Sequence, residues 1–425
     1  MKKNSLKILK KYFCFICLLS ALCILGFNFA SAKIITVCSD CEIKTIKEAL
    51  ALSLDGDVIV IKEGYYKENN LLVDKSIKIT GENKVVIDLE FVNQGFVIKK
   101  ENVTVSNLEI RNINVNYIQD LSAIRVEYTR GCTIENNKIY NSFFAVYLAE
   151  SKDCIIRNNI IKGDAKSESS SGNGIHLWNC SNILIEKNET SGHRDGIYLE
   201  FLKNSKLNGN YSHNNLRYGM HFMFSDSNAY TKNVFRENGA GVAVMYTKYT
   251  EMRENRFEDN WGPASYGILM KDISNSIIMR NTFYKNTTAV YLEGSDMLQI
   301  TANNFIENGW AMKILGNSLN NTIISNNFEG NTFDVSSNST RNENVYQWNY
   351  WDKYEGYDMN KDDIGDVSYR PVSLYSMLIE KIPESIILLR SLITDILDVT
   401  EKVLPVFIPE TLVDNSPRMI KYKYD

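Results

Sequence analysis

An asparagine that recurs about every 22 residues is the feature that most constrains the fold of this chain. Successive members lie 22, 29, 22, 23, 22, 26, 22 and 23 residues apart, and the two long intervals contain the insertions GDAKSESSSGN and WGPAS. The asparagines are Asn137, Asn159, Asn188, Asn210, Asn233, Asn255, Asn281, Asn303 and Asn326. A small residue also recurs in each repeat, and the intervals between its occurrences are longer at the same two places. These residues are Ala145, Gly174, Gly196, Gly219, Gly241, Gly267, Ala289 and Ala311.

This period, with short strands between Asn- and Gly-rich turns, is typical of a parallel β-helix. Coils would stack at the interstrand distance of about 4.8 Å, and asparagines at equivalent turns would form a ladder of side-chain amides. A leucine-rich repeat is the alternative at this period, but recurring Leu and a helix in each repeat are not evident. We therefore expect an all-β, right-handed parallel β-helix over residues 33–345.

Residues 1–32 have the pattern of a cleavable signal peptide. Five Lys precede the apolar stretch YFCFICLLSALCILGF, and ASA stands before Lys33. An uncleaved membrane anchor is the alternative, although the apolar stretch is short for a spanning helix. Cleavage leaves 42 basic and 51 acidic residues, a net charge of −9. A chain this acidic is a poor partner for nucleic acid.

Both ends of the predicted solenoid carry helical patterns. TIKEALALS, from Thr45, begins with a capping box and predicts a short helix that covers the first open coil. Residues 346–425 form a separate C-terminal segment, in which residues 372–404 are apolar on one face of a predicted helix. Pro383 breaks this helix. The segment either caps the last coil or lies against a membrane partner.

Five cysteines remain after cleavage of the leader. Cys38 and Cys41 are close enough in sequence to predict a local disulfide in an oxidising compartment. Cys132 and Cys154 share one register on adjacent coils and are expected to be buried, with a disulfide as the alternative. The odd number leaves at least one thiol free or paired elsewhere, and Cys180 is the fifth cysteine.

Strand alternation divides the run RYGMHFMFSDS between two faces. Residues two and four of each strand, counted from the small residue, are apolar and are expected to face the core. Met220 and Phe222 are therefore predicted to be core residues. His221 and Met223 are predicted to face solvent, with Met245 one coil beyond Met223.

These outward side chains resemble a soft-metal site. Neighbours on adjacent coils lie about 4.8 Å apart and alternate residues on one strand about 6.6–7 Å apart, so His221, Met223 and Met245 form a triangle that could converge on one ion. Imidazole with thioether favours Cu(I) over hard cations. His176, two coils from His221 and about 10 Å away, is the fourth candidate copper ligand. A Met-rich patch that packs against a protein partner without metal is the alternative.

The other two histidines, His193 and His213, fall in predicted turns. We expect their side chains to be solvated.

A second metal site is suggested by the sequence DMNKDDIGD. Asp358, Asn360, Asp362 and Asp366, with the carbonyl of Ile364, resemble an oxygen-rich calcium loop. The glycine expected at its sharp turn is replaced by Asp363, and no Glu follows at the bidentate position. A solvated acidic turn is the alternative to a structural Ca²⁺ site.

The chain resembles the NosD family of periplasmic β-helix proteins. The resemblance is carried by GNGIHLWN, GHRDGIYLE, RYGMHFMFSDS, GVAVMY, YGILM and NYWDKYEGYDMNKDDIGDVSYRP. It implies the handling of copper, or of sulfur, for the copper–sulfur centre of nitrous oxide reductase. The implied partners are an ABC-transporter permease with its cytoplasmic ATPase, a copper chaperone lipoprotein, and the reductase. The chain would then be periplasmic and associate with the inner membrane through its partner.

The resemblance also bears on the two sites. His221, Met223 and Met245 fall in the family's H-x-M and M-Y runs, which favours them as the group that passes copper. The sequence CSDC and Asp363 depart from the family pattern, and the second departure weakens the calcium prediction.

An enzyme or a glycan-binding protein on the same fold is the alternative function. A hydrolase needs paired carboxylates at a set separation. Outward acids such as Asp195 and Glu200 form no recurring pair. A lyase would need a basic residue beside a calcium cluster, but Lys271 and Lys313 stand alone. We therefore expect an accessory protein rather than an enzyme.

Overall fold

The computed structural model describes residues 32–116, 119–339, 343–403 and 412–424. The predicted signal peptide lies outside the described residues, except for Ala32. The described strands, β1 to β39 in chain order, pair in parallel to form three long sheets. The chain is thus the predicted parallel β-helix, in which a typical coil contributes one strand to each sheet.

The three sheets have the following strands. The first sheet contains β1 (Ile34–Val37), β2 (Val58–Ile61), β5 (Lys78–Gly81), β8 (Thr104–Ser106), β11 (Thr133–Glu135), β14 (Ile155–Arg157), β17 (Leu184–Glu186), β20 (Lys206–Asn208), β23 (Ala229–Thr231), β26 (Glu251–Arg253), β29 (Ile277–Met279), β32 (Gln299–Thr301), β35 (Thr322–Ile324) and β38 (Val345–Gln347). The second sheet contains β4 (Leu71–Val73), β7 (Phe96–Ile98), β10 (Ser122–Glu127), β13 (Phe144–Ala149), β16 (Asn173–Trp178), β19 (Asp195–Glu200), β22 (Tyr218–Met223), β25 (Ala240–Met245), β28 (Tyr266–Lys271), β31 (Thr288–Glu293), β34 (Trp310–Ile314) and β37 (Phe333–Ser336). The third sheet contains β3 (Gly64–Lys67), β6 (Val85–Asp88), β9 (Glu109–Arg111), β12 (Lys138–Tyr140), β15 (Ile160–Lys162), β18 (Glu189–Ser191), β21 (Tyr211–His213), β24 (Val234–Arg236), β27 (Arg256–Glu258), β30 (Thr282–Tyr284), β33 (Asn304–Ile306), β36 (Asn327–Glu329) and β39 (Tyr350–Trp351).

The asparagine ladder is present and every predicted member is buried. At Asn233, the backbone N and the side-chain Nδ2 both donate to Oδ1 of Asn255, at 2.9 and 3.0 Å. The same Nδ2 also donates to the carbonyl of Leu207 at 3.0 Å. The ladder continues one coil further than predicted, to Asn349. Each asparagine therefore satisfies buried polar groups that no water can reach.

A second ladder runs through the interior, five residues after the first. Asn215 donates through N and Nδ2 to Oδ1 of Asn238, at 3.1 and 2.9 Å. Its members are Asn215, Asn238, Asn260, Asn286, Asn308 and Asn331. This ladder lies beside the second sheet and was not predicted.

The N-terminal end is capped as predicted. Helix α1 (Ile46–Leu52) begins after Thr45, whose side chain accepts a hydrogen bond from the Glu48 backbone N at 3.2 Å. Ile46 and Leu50 are buried in the core. The predicted disulfide joins Cys38 to Cys41. Cys132, Cys154 and Cys180 are buried free thiols, which confirms the predicted buried pair.

The C-terminal end is built from the segment after the last coil. Strands continue to Trp351, past residue 345, where we placed the boundary. Helix α2 (Leu374–Lys381), a 3₁₀ helix (Pro383–Leu388) and helix α3 (Leu392–Val403) follow, with the break at the predicted proline. Tyr375 and Ile379 of α2 pack on Trp310 and Phe333.

The described helices are all too short or too polar to cross a membrane.

Candidate copper site

Three of the four candidate copper ligands, His221, Met223 and Met245, lie on β22 and β25 in the second sheet, and His176 lies on β16. Met223 is the register partner of Met245, and His221 is the partner of Ala243. Both methionines are partly exposed, whereas Met220 and Phe222 are buried in the core. The predicted division between the two faces is confirmed.

The expectation that His221 faces solvent is wrong. Its side chain points away from the core, but only 8% of it is exposed. The ring packs edge-on against Tyr198 and Tyr218, with centroids 5.1 and 5.0 Å apart. Its Nε2 is buried and has no hydrogen-bond partner among the described residues. A buried polar atom without a partner costs about 1–3 kcal/mol, so this nitrogen is a candidate ligand atom.

A buried ion pair lies on the other side of the imidazole. Asp195 is fully buried and accepts hydrogen bonds from Nε and Nη2 of Arg217, at 2.9 and 2.5 Å. Its Oδ2 is 3.7 Å from Nδ1 of His221. Burial alone would raise the pKa of the Asp195 carboxyl, but the contacts with His221 and Arg217 outweigh it and hold this pKa below its ordinary value. Asp195 is therefore ionised at neutral pH.

We predicted Asp195 as an outward acid but did not connect it with His221. Alternation counted back through Gly196 would place Asp195 on the same side as the core residue Ile197. A Cβ at Gly196 would overlap the buried hydroxyls of Ser212 and Thr190, so Gly196 faces the interior. Asp195 instead contacts Arg217 and His221, so the alternation is interrupted between the two residues. The available signal was the basic residue Arg217, one position before the register partner of Asp195.

His176 is held apart from this group. Its ring stacks between Tyr147 and Tyr198, with centroid distances of 4.8 and 4.7 Å. Its Nδ1 is 3.0 Å from Nδ2 of Asn173. Burial lowers the pKa of His176 to about 3, so the ring is neutral. Because Tyr198 stands between them, His176 and His221 are not brought together around one ion.

The predicted solvation of His193 is also wrong. His193 is fully buried at the start of the second asparagine ladder, where its backbone N donates to Oδ1 of Asn215 at 3.1 Å. Its Nδ1 is 2.9 Å from the carbonyl of Ser191, and its Nε2 is 3.1 Å from Oγ of Ser142. His213 ends strand β21 and is partly exposed, 3.4 Å from Glu189. Neither histidine is a register partner of Met223 or Met245.

An exposed aromatic row borders the two methionines. Phe224 follows Met223 and Tyr246 follows Met245, and their rings stack with centroids 5.1 Å apart. Phe201, one coil before, continues the stack at 5.3 Å. These three side chains are 39–42% exposed and have positive φ angles of 50–54°. Bulky residues rarely adopt this backbone conformation, and they expose apolar surface beside the sulfur atoms.

The residue types of this group fit Cu(I). Two thioethers and one imidazole are soft ligands, and the unpartnered Nε2 of His221 supplies a lone pair if the proton resides on Nδ1. Among the described residues, no group of three or more His, Cys, Asp or Glu is placed to hold a metal ion. Thioether sulfur selects Cu(I) rather than a hard cation.

The predicted calcium loop is folded by its own side chains. Asp358 accepts hydrogen bonds from the backbone N of Lys361 and Asp363, at 2.6 and 2.8 Å. Asp366 accepts one from the backbone N of Met359 at 2.7 Å. The loop contains all four of the predicted side-chain ligands, which are Asp358, Asn360, Asp362 and Asp366. Ca²⁺ binding by this loop stays a prediction.

Comparison with known proteins shows the family to which the chain belongs. The family model described as periplasmic copper-binding protein (NosD) matches residues 51–169 and 162–360. The chain belongs to the NosD family. A Pseudomonas aeruginosa protein named probable ABC transporter binding protein NosD is 27% identical over 395 residues, covering 88% of this chain and 90% of the relative. A Stutzerimonas stutzeri protein of the same name is 30% identical, covering 67% and 69%.

Solved structures resemble the NosD-family chain only distantly. The periplasmic alginate epimerase AlgG is 14% identical with a TM-score of 0.46, covering 69% of this chain and 74% of its own. A mannuronan C-5 epimerase module from Azotobacter vinelandii is 13% identical with a TM-score of 0.45, covering 71% and 83%. Neither likeness bears on the activity of this chain.

Proposed function

We propose that this chain binds Cu(I) on the outer face of β22 and β25 and passes it to a partner protein. The ligands would be Nε2 of His221 and the thioether sulfurs of Met223 and Met245. One observation carries the proposal. A buried imidazole nitrogen without a partner lies on the same strand face as two register-paired, partly exposed methionines. Thioether and imidazole bind Cu(I) readily, but they bind it less tightly than a charged thiolate would.

The geometry favours handover over permanent storage. Both methionines are partly exposed, so a partner's ligand can approach the ion from solvent while His221 holds it from the protein side. His176 is excluded from this ligand set by the intervening Tyr198 ring. The process needs no catalytic group, in agreement with relatives that are named binding proteins.

The proposed process is the supply of the copper–sulfur centre of nitrous oxide reductase, with sulfur as the alternative cargo. A copper chaperone lipoprotein would donate the ion, and an ABC-transporter permease with its cytoplasmic ATPase would act on the chain. The relatives' names support the transporter association. Helix α3 exposes Leu392, Ile396 and Val399 by 74, 55 and 63%, and this apolar face is the proposed contact with the permease.

Anaerobic Cu(I) titration of the purified chain from residue 33, against a chromophoric competitor, tests the proposal. The wild-type protein should bind one Cu(I) competitively. The triple variant His221→Gln, Met223→Leu, Met245→Leu should lose this binding, because Leu preserves the volume of Met but supplies no sulfur. Met297→Leu is the control, since Met297 is 54% exposed and outside the group. A triple variant with wild-type affinity would show that the site is misassigned.

A further inference from the structure

The small residue that recurs in each repeat is replaced by a carboxylate in the last coil of the second sheet. It is Gly or Ala in every coil from Ala145 to Ala311, and Asp334 takes the same place in β37. A Cβ at this place points toward the next coil, since at Gly241 it would lie 2.6 Å from the carbonyl oxygen of Gly267. In the described part of the chain β37 is the last strand of its sheet. The side chain of Asp334 therefore extends toward the place that a further coil would take.

A cleft of about 490 Å³, which we call the end cleft, adjoins this side chain. It lies between β37, the turn that follows β39 and the segments on either side of α2. Phe333, Val372, Tyr375 and Leu389 supply apolar walls, and Asp334 also lines it. Small-molecule sites typically have volumes of about 300–1,000 Å³, with apolar walls and a few polar groups. The end cleft has both properties.

The carboxylate of Asp334 is only partly satisfied by the protein. Its side chain is 2% exposed, and Oδ2 is 3.4 Å from Nζ of Lys353. That ammonium also donates to the carbonyls of Asn331 and Thr332, at 2.8 and 3.2 Å. Oδ1 of Asp334 is buried without a hydrogen-bond partner among the described residues, and burial raises the pKa of this carboxyl to about 6. Such an oxygen favours a ligand that supplies a positively charged N–H donor.

The charges around the end cleft favour a ligand with both signs of charge. Lys353, Arg370 and Arg390 line it together with the carboxylates of Asp334 and Glu355. Arg390 is exposed, and a guanidinium can bind a carboxylate through two parallel N–H bonds. A simple amine would add to the excess of positive charge and leave this guanidinium unused. An α-amino acid carries an ammonium and a carboxylate group, and the apolar walls fit an apolar side chain.

We propose that the end cleft binds an α-amino acid with an apolar side chain. Its ammonium group would bind Asp334, its carboxylate Arg390, and its side chain would pack against Tyr375 and Leu389. This site lies at the C-terminal end of the solenoid, away from β22 and β25, so the inference does not rest on the proposed copper site. Because Asp334 belongs to the last coil and Arg390 to the segment before α3, the ligand would also join the cap to the solenoid.

Isothermal titration calorimetry of the purified protein with L-leucine tests the proposal. Leucine should bind at one site. Its analogue 3-methylbutylamine lacks the carboxylate and 4-methylpentanoate lacks the ammonium group, so each should bind at least about tenfold more weakly for the loss of one charged contact. Absence of saturable leucine binding would overturn the proposal. Equal affinity for leucine and either analogue would also overturn it.

Two variants test the assigned contacts. Asp334→Asn retains the shape of the side chain but removes its charge, and should weaken leucine binding by about tenfold or more. Arg390→Gln alters an exposed residue and should weaken leucine binding similarly, while the affinity for 3-methylbutylamine stays unchanged. Asp74→Asn is the matched control, because Asp74 is 58% exposed near the other end of the solenoid. Wild-type leucine affinity in Asp334→Asn would overturn the inference.

Discussion

His193 shows how one buried side chain makes stability depend on pH. Burial lowers its pKa to about 4, against about 6.5 in an unfolded chain. The folded state therefore binds this proton less tightly, and stability present above pH 6.5 is lost as the pH falls toward 4. As the pH falls from 7 to 5, protonation of His193 in the unfolded chain should lower the free energy of unfolding by about 2 kcal/mol.

His193→Asn should remove this part of the acid sensitivity, because an amide fits the ladder position and does not titrate. Urea denaturation at pH 7 and pH 5 measures the difference for each protein. His213→Asn is the control, since His213 is partly exposed. An equal loss of stability in wild type and His193→Asn would contradict the assignment.

At the same scale, the sequence predicted the face of a side chain better than its exposure. Alternation placed Met223 and Met245 outside and Met220 inside, and the structure agrees. It failed for the exposure of His221, because Tyr198 and Tyr218 cover that ring from another coil and from the same strand. Whether a ring is covered in this way depends on side-chain rotamers and on the residues of neighbouring coils. Alternation along one strand gives no information about either.

At the scale of the element, the asparagine ladder makes many small contributions to one structure. Asn255 donates through its backbone N and Nδ2 to Asn281, at 2.9 and 3.0 Å, and its Oδ1 accepts two bonds from Asn233. Asn255→Ala leaves the donors of Asn233 and the carbonyl of Tyr230 without their partner. Each unsatisfied buried group costs about 1–3 kcal/mol, so the loss should reach about 3 kcal/mol.

The change in unfolding free energy of Asn255→Ala, measured in urea, tests this estimate. Asn317→Ala is its control, because Asn317 is exposed and its Oδ1 accepts a hydrogen bond from the backbone N of Gly294 at the surface. That substitution should change stability by less than about 0.5 kcal/mol. Equal effects at the two positions would mean that the interior amides add little to the stability of the coils.

The second ladder was also visible in the sequence, although we predicted only the first. Each member follows a first-ladder asparagine by five residues, as Asn238 follows Asn233 and Asn260 follows Asn255. His193 takes the same place after Asn188, and Ser142 after Asn137. The insertion after Gly163 displaces the coil between them, and the imidazole bridges it to Ser142 at 3.1 Å. The burial of His193 therefore follows from its ladder position, although its place in a predicted turn had led us to expect solvation.

At the scale of the whole molecule, the solenoid is closed by residues far from the repeat. Periodicity predicted the capping helix and the body, since both follow local patterns. The C-terminal closure depends on contacts between distant segments. Glu380 of α2 pairs with Lys313 of β34 at 2.8 Å, and the backbone of Tyr369 pairs with that of Asp414 at 2.8 Å. No repeat connects these residues, so the sequence left capping and partner docking as alternatives.

Asp414 completes the first asparagine ladder with a carboxylate. Its Oδ2 accepts hydrogen bonds from the backbone N and Nδ2 of Asn349 and from Nε1 of Trp351, each at 3.1 Å. Asp414→Ala leaves these three buried donors without an acceptor and should cost about 2–4 kcal/mol at this end. Asp414→Asn retains an oxygen acceptor, as every other ladder position does, and should cost about 1 kcal/mol.

Hydrogen exchange resolves this loss along the solenoid. In Asp414→Ala the amides of β38 and β39 should exchange faster, because the last coil loses its cap, while those of β26 in the middle keep their wild-type rates. Asp414→Asn should protect the last coil nearly as well as wild type. Since the backbone pairing of Asp414 with Tyr369 survives both substitutions, a difference between them isolates the side chain. Equal exchange of β38 in wild type and Asp414→Ala would show that the tail covers this coil without closing its ladder.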